Sequence, residues 1–403
     1  MSAPERPQMR PFGDLAPFSE ARRILAQLGS PIDEAKRVSL VEAEGRMLAA
    51  AVHSSVDVPN ADRAAMDGFA ARAEDTGEKK RLRLMGRVAA GQDAQQALDV
   101  GGCIEIATGA PLPPGTDCVV PVEHTVTDGE DIIIEAPFVS GQHVSHRGDD
   151  LHAQGLLAAA GARLHPSLVA ACAAGGVTAV DVWRRPRVLI VPTGDEVVPL
   201  GAGPLRPGQV FDSNAAALET LFGSVGCAVS RTPIIRDERD RLEAALTQTD
   251  ADVIVTIGGT SVGRRDLVSD VVADIGEVQL HGVAVRPGKP LLLATIGSRS
   301  LVGLPGFPTS CLMMAYVTAL PLLQRLGSLT NTRASSMATL GVDVASPPGK
   351  THFLPVRLDG TTAMPTFTFS SAVSSMAHAD GWIELAADAE VVVQGTAVSV
   401  SHY

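Results

Sequence analysis

Between Arg187 and Leu326, short apolar runs alternate with stretches in which apolar residues recur every three or four positions. The runs fit strands at Val188–Val191, Ala228–Ile235, Val253–Ile257, Val278–Val285 and Leu291–Ala294. The longer periodicity fits helices at Ala215–Phe222, Glu238–Gln248, Asp266–Ile275 and Thr309–Leu326. Such alternation implies an open, mainly parallel sheet with helices on both faces. Upstream the pattern differs. After a Pro-rich start, Ser19 is placed to cap a helix with Ile24, Leu25 and Leu28 on one face, and a second helix fits Glu44–Val52. From Leu82 to about Leu151 come short strands separated by turn signals: "RLRLMGRV", "CIEIATG", "DCVVPVEHTV", "DIIIEAPFV". Helical pattern returns at "HPSLVAACAAGG" (165–176), and the tail from about Ser328 alternates again, as in "HFLPVRL". The chain is therefore expected to be a multidomain α/β protein. Residues 8–59 with 155–183 form a discontinuous helical linking domain around a β-rich insertion, 60–154. A central α/β domain spans 184–327 and a small C-terminal β domain spans 328–403.

Composition narrows what such a protein does. The 403 residues carry a net charge of −12 and only 3% aromatic residues. That argues against nucleic acid and anionic membrane as partners. Five widely spaced cysteines with no C-x-x-C pair suit a reducing compartment. The opening "MSAPERPQMRPFGDL" has no apolar core of the secretory kind, so a cytoplasmic protein is expected. An anionic small molecule remains a fitting ligand wherever basic residues gather locally.

In an open α/β sheet, ligands bind beyond the carboxyl ends of the strands. The segments following the strands bring Thr193, Gly194 and Glu196 ("PTGDE"), then Asp212, Ser213 and Asn214 ("QVFDSN"), then Arg236 and Asp237. They continue with Gly258, Gly259, Ser261, Gly263 and Asp266 ("GGTSVGRRD"), Arg286 and Lys289 ("RPGKP"), and Pro305, Gly306, Pro308 and Ser310 ("GLPGFPTS"). The glycine turn after Val253–Ile257 resembles an anion cradle at a helix start. It is neither a dinucleotide fingerprint, because Thr260 replaces the third glycine, nor a P-loop, because Arg264-Arg265 stands where Lys-Ser/Thr belongs. Singly, these pieces are helix caps, rigid turns or solvated charges. Together on one edge they describe a polyanion site. Lys289 is the only lysine between Lys80 and Lys350, and a compact ammonium in a Pro-Gly-Lys-Pro turn suits a small oxyanion. Glu196, Asp237 and Asp266 can gather around phosphates only with a cation, and hard oxygen donors imply Mg²⁺. His143 and His146 have no cysteine partners, so zinc is not expected.

The motifs "AAMDGFA" (64–70), "IATGAPLPPGTDCVVPVE" (106–123), "PTGDEV", "GGTSVGRRD", "RPGKP" and "GLPGFPTS" resemble, in order and spacing, those of the molybdopterin molybdenumtransferase family. That family includes MoeA-like proteins and the E domain of gephyrin, and the resemblance covers almost the whole chain. It implies a central domain of molybdopterin-binding type and a reaction in which adenylylated molybdopterin and molybdate give molybdenum cofactor and AMP, with a divalent cation. It also implies an elongated homodimer whose active sites are shared between protomers, with other cofactor-biosynthesis proteins or recipient apoenzymes as further partners. By motif position, Asp67, Thr108, Gly109, Glu196, Asp237 and Asp266 look like functional residues, with Asp237 and Asp266 as metal ligands. Arg286, Lys289 and Ser310 look like a molybdate pocket, with Ser374 as a further candidate. The chain departs from the family at Arg63, Ala65 and Phe69 in the first motif. It departs again at Gly282, where the family has lysine, and at Phe307, where it has asparagine. Two alternatives are a molybdopterin adenylyltransferase, which needs neither residues 1–182 nor the tail, and a non-catalytic paralogue that binds or scaffolds cofactor.

Overall fold

The computed structural model describes residues 14–259, 267–329 and 333–403. Helix α1 (Phe18–Gln27) starts after Pro17, which occupies the N-cap position in extended conformation, so Ser19 lies inside the helix instead of capping it. Its inward residues Phe18, Ala21, Ile24 and Leu25 join Val188, Phe222, Val302 and Phe353 in one hydrophobic core. The helix therefore belongs with the α/β domain and not with a linking domain. Two compact units result: one comprises the chain up to Glu34 with Trp183–Tyr403, the other Ala35–Val182.

The Ala35–Val182 unit holds a six-stranded sheet in the order Cys118–Pro121, Gly68–Ala71, Gly102–Ile106, Lys80–Val88, Asp131–Ile134, Thr125–Asp128. Successive residues of these strands enter opposite cores, as a pleated strand requires. Ala70, Ile104 and Val119 pack on one face, Phe69, Cys103 and Val120 on the other. The expected helix at Glu44–Val52 does not form. Gly45 sits at φ +74°, Leu48 donates its amide to the Ala162 carbonyl, and Ala49 donates to Asp181. Val52–His53 then pairs with Leu156–Ala158. Leu48 and Val52 are buried because these pairings turn them inward, which imitates helical spacing in the sequence. This region carries one helix, α2 (Pro166–Ala174), whose cap is the His165 ring accepting from the Leu168 amide at 3.3 Å. A "helical" domain overstates it.

In the other unit the central sheet runs Ala228–Arg231, Arg187–Pro192, Val253–Ile257, Arg299–Leu304, Leu292–Ile296, Glu277–His281. The first four strands run parallel; Leu292–Ile296 is antiparallel to both of its neighbours, which returns Glu277–His281 to the direction of the first four. Helices α3 (Ser213–Ser224), α6 (Pro308–Met314) and α7 (Leu320–Leu326) cover one face with α1, while α4 (Arg239–Thr247) and α5 (Leu267–Ile275) cover the other. Alpha6 and α7 are joined by a π segment, Ala315–Ala319, just ahead of Pro321, whose missing amide makes a regular helical turn unfavourable there. The expected strand Val278–Val285 ends at His281. Past Gly282, Val285–Arg286 instead pairs in parallel with Thr351–Asp359 of the C-terminal sheet, Arg286 opposite His352. That sheet continues through Thr362–Pro365, Ser335–Leu340, Ala397–His402 and Gly381–Leu385, and the last pairs back onto Thr351–Asp359. Five strands thus close into a small barrel around Leu340, Val356, Ile383 and Val400. All five cysteines are free and buried, and burial pushes the Cys103, Cys118 and Cys227 thiols up to about 12, away from thiolate chemistry. No described helix is long and apolar enough to cross a membrane.

Candidate active site

The carboxyl ends of the parallel strands open into a cleft of about 770 Å³, within the usual size range for small-molecule sites. Its floor comes from two neighbouring strand ends. Thr193 donates both its amide and its hydroxyl to the Ile257 carbonyl, at 3.0 and 2.9 Å. Gly258 and Gly259 turn the chain with φ of +81° and +63°, conformations that favour glycine. Thr193, Glu196, Gly258 and Gly259 all line the cleft, and Gly194 lies directly against the Glu196 carboxylate.

A second wall begins at α3. Asp212 is its N-cap, accepting from the Ala215 amide at 3.1 Å, and is nearly buried beside Arg231 at 3.7 Å. Ser213 and Asn214 face the cleft from the first turn. Asn214 also donates through Nδ2 to the Gly306 carbonyl at 2.8 Å, so it pins the "LPGFP" turn in place. Pro305, Gly306, Phe307, Pro308 and Ser310 follow along the same wall. The lining also includes Arg286 and Lys289 of the "RPGKP" turn, with the Arg286 guanidinium 5.3 Å above the Phe367 ring.

Three lining features were not foreseen: Lys350, the Ser370–Ser371 turn, and the exposed apolar residues Val210 and Phe211. Lys350 had a legible signal, since "PPGK" repeats the Pro-Gly-Lys of "RPGKP". What brings it here is the parallel pairing of Val285 with Thr351, a long-range contact that local sequence does not encode. Two of the chain's five lysines therefore face one cleft in a protein of net charge −12. The Ser370 turn is tied to the start of α6, where Thr309 donates its amide to Ser370 and its hydroxyl to Ala372. Ser374 does not line the cleft; it is the exposed first residue of a short helix whose Ser375 and Met376 are buried.

The acids are less gathered. Asp237 does not line the cleft, although its amide donates to the Asp195 carboxylate at 3.3 Å, beside Glu196. Ser261, Gly263 and Asp266 lie outside the described residues. Among the described residues, no three His, Cys, Asp or Glu side chains stand close enough to hold a metal by themselves.

Asp67, in the Ala35–Val182 unit, follows different physics. One of its oxygens accepts from both the amide (2.7 Å) and the hydroxyl (2.9 Å) of Thr108. The amide first, and then the hydroxyl, hold this exposed carboxyl below the usual range, so it stays ionised through mild acid. Gly109 follows on the same turn, and Thr108 and Gly109 line a shallower depression with Val58, Pro59 and Ser145. Thr108→Val removes the hydroxyl donor and keeps the amide. The expected outcome, read by NMR titration of Asp67, is a midpoint moved up toward an ordinary aspartate; an unmoved midpoint would leave the amide alone responsible.

Three family models match the chain in succession. They are the MoeA N-terminal region (domain I and II) over residues 16–176, the probable molybdopterin binding domain over 189–325, and the MoeA C-terminal region (domain IV) over 337–403. A molybdopterin molybdenumtransferase of Synechococcus elongatus is 32% identical over 390 residues, spanning 93% of this chain and 96% of the relative. Molybdopterin molybdenumtransferase 2 of Mycobacterium tuberculosis is 32% identical over 381 residues, 90% of this chain and 94% of its own. The crystal structure of the molybdopterin biosynthesis moeA protein from Pyrococcus horikosii matches with a TM-score of 0.85 at 34% identity, covering 96% of this chain and 99% of that one. An open α/β sheet with a cationic cleft, preceded in the chain by a β-rich unit and followed by a small barrel, marks an enzyme of molybdenum cofactor biosynthesis. The chain belongs to the molybdopterin molybdenumtransferase family. Matches on both sides of the central domain set aside the adenylyltransferase alternative.

Proposed function

We propose that the enzyme inserts molybdate into adenylylated molybdopterin and releases AMP in a Mg²⁺-dependent reaction. The observation that carries this reading is the cleft itself, where Arg286, Lys289 and Lys350 share one lining with the hydroxyls of Ser213 and Ser310. Ammonium and guanidinium groups supply charge-assisted donors to an oxyanion and its phosphate neighbours, and hydroxyl groups orient it. Lys289, compact and held in a proline-bounded turn, is assigned to molybdate with Arg286 and Ser310. The donors suitable for a cation are all carboxylate oxygens, which fits a hard divalent ion, and Mg²⁺ ordinarily completes its shell with substrate phosphates and water. Glu196 and Asp237, with Asp266, would hold it. When bound, it supplies the positive charge that lets a diphosphate sit beside carboxylates. The reading includes a cytoplasmic homodimer in which Asp67 of the second protomer completes each site. Its product passes to other cofactor-biosynthesis proteins or to recipient apoenzymes.

The test is purified protein with adenylylated molybdopterin, molybdate and Mg²⁺, followed for AMP and for finished cofactor. Lys289→Ala is expected to raise the molybdate concentration needed for turnover by roughly tenfold or more, the usual worth of a hydrogen bond to a charged group. Binding of the adenylylated pterin should change less. A protein that binds both substrates and releases no AMP would refute the reading. If instead pterin binding falls and molybdate dependence does not, Lys289 belongs to the phosphates. At a molybdate concentration too low for the Lys289→Ala enzyme, mixed dimers of Asp67→Asn and Lys289→Ala protomers should regain activity if sites are shared; confirmed mixed dimers without recovery would oppose that part.

A further inference from the structure

The nine described phenylalanines are not distributed evenly. Phe18, Phe69, Phe138, Phe222 and Phe353 are buried, and Phe367 is half-buried under Arg286. Phe211, Phe307 and Phe369 are exposed at 36%, 62% and 57%. Phe211 and Phe307 line the cleft, and Phe369 immediately precedes Ser370 and Ser371, which also line it. A single exposed apolar residue needs no explanation. That two of the three exposed phenylalanines among the described residues line one charged cleft, with the third next in the chain to two of its lining serines, does need one.

The three segments that carry these rings are bonded to one another. Phe211 precedes Asp212, the cap of α3, and Asn214 on that helix donates to the Gly306 carbonyl. Gly306 precedes Phe307, the N-cap residue of α6, whose own carbonyl accepts from the Cys311 amide at 2.8 Å. Two residues further on, Thr309 is bonded to Ser370 and Ala372. The backbone beneath each ring is thus anchored while the ring itself stays open to solvent. Val210 and Val373, also exposed, extend the apolar surface within the same lining. Fixed apolar faces beside Arg286, Lys289 and Lys350 suit a ligand that is flat and apolar at one end and anionic at the other.

We propose that Phe307, with Phe211 and Phe369 around it, is a stacking surface for the fused heteroaromatic ring of a phosphate-bearing substrate, and that Phe307 sets preference for ring-bearing over ringless phosphates. The proposal rests on the reading above, whose substrate offers two such rings, an adenine and a pterin. Phe307 is a specificity residue here: it acts on binding of the ring and leaves the oxyanion end to the lysines.

The experiment is calorimetric binding of AMP, a pterin monophosphate and ribose 5-phosphate to the full-length protein and to Phe307→Asn and Phe307→Tyr. Stacking of one base on one aromatic side chain is typically lost with a fall in affinity of about fivefold to a hundredfold. Phe307→Asn is therefore expected to weaken AMP or the pterin phosphate by that factor, and the ring affected identifies which end of the substrate lies there. Ribose 5-phosphate should be unaffected, and Phe307→Tyr should restore the loss because it keeps the ring. Equal weakening of all three ligands, or no weakening of either ring-bearing one, overturns the proposal. So does a change in oligomer mass without a change in affinity, which would give the surface to a protein partner. The two readings fail separately. An enzyme that releases AMP but shows no ring dependence at Phe307 loses only the stacking surface, and one with ring dependence but no AMP release loses only the reaction.

Discussion

Phe353→Ala is expected to cost the unit containing the cleft about 3–5 kcal/mol, the usual range for removing a fully buried aromatic side chain. Phe353 is completely buried, and its ring meets that of Phe18 edge-on at a centroid distance of 4.9 Å. It lies on Thr351–Asp359, the strand that also holds Lys350's neighbour Thr351 against Val285. The cavity would open where α1, the central domain and the barrel share one core, so none of the three can close it alone. Denaturant unfolding followed by circular dichroism checks this. A loss below about 1 kcal/mol would show that the site collapses around the smaller residue and that the shared core is looser than its packing suggests.

Gly68→Ala should be nearly as damaging in the Ala35–Val182 unit, for the opposite reason. A β-carbon at Gly68 would lie 2.0 Å from the Val120 carbonyl oxygen and 2.9 Å from the Pro121 α-carbon. Both obstacles are backbone of the adjacent strand, and Gly68 pairs with Ile106 on its other side, so the strand has nowhere to move. Overpacking of this sort costs about 1–3 kcal/mol and at times more. It would also shift Asp67, the preceding residue, away from Thr108. The expected result is a lowered melting temperature together with an Asp67 carboxyl that titrates nearer the ordinary range. A variant with unchanged melting and an unchanged Asp67 midpoint would mean that the two strands separate more easily than their register implies.

These two residues show why some of the molecule could be read from its sequence and some could not. Val253–Ile257 is apolar except for Thr256, mostly β-branched and buried along its whole length, so it announced a central strand, and the residues following such strands were the right places to look for a cleft. Strand Arg299–Leu304 went unread because it opens with Arg-Ser after a Gly297-Ser298 turn, and its burial comes from neighbours on both sides. The Glu44–Val52 helix failed because inward residues of irregular pairings happened to fall at helical spacing. Gly68 was read as part of a motif, but its reason is a backbone approach that only the strand order creates. Lys350 and the Ser370 turn depend on chain segments some sixty residues from Arg286 and Pro308 coming back to them. Local pattern reports what a segment buries, not what it meets.

The parallel pairing of Val285–Arg286 with Thr351–Asp359 has a consequence for how the chain can be taken apart. A version shortened at Gly327 would keep all six strands of the central sheet and its helices, so by most criteria the α/β domain would be complete. It would nevertheless lose Lys350, Ser370, Ser371 and Val373 from the cleft, leave the backbone of Val285–Arg286 without its partner strand, and uncover the Phe18 ring. The barrel is therefore an exchangeable jaw, not an appendage. Grafting the corresponding segment of a relative in place of residues 333–403 would retune what the cleft admits while leaving every strand end of the sheet as it is.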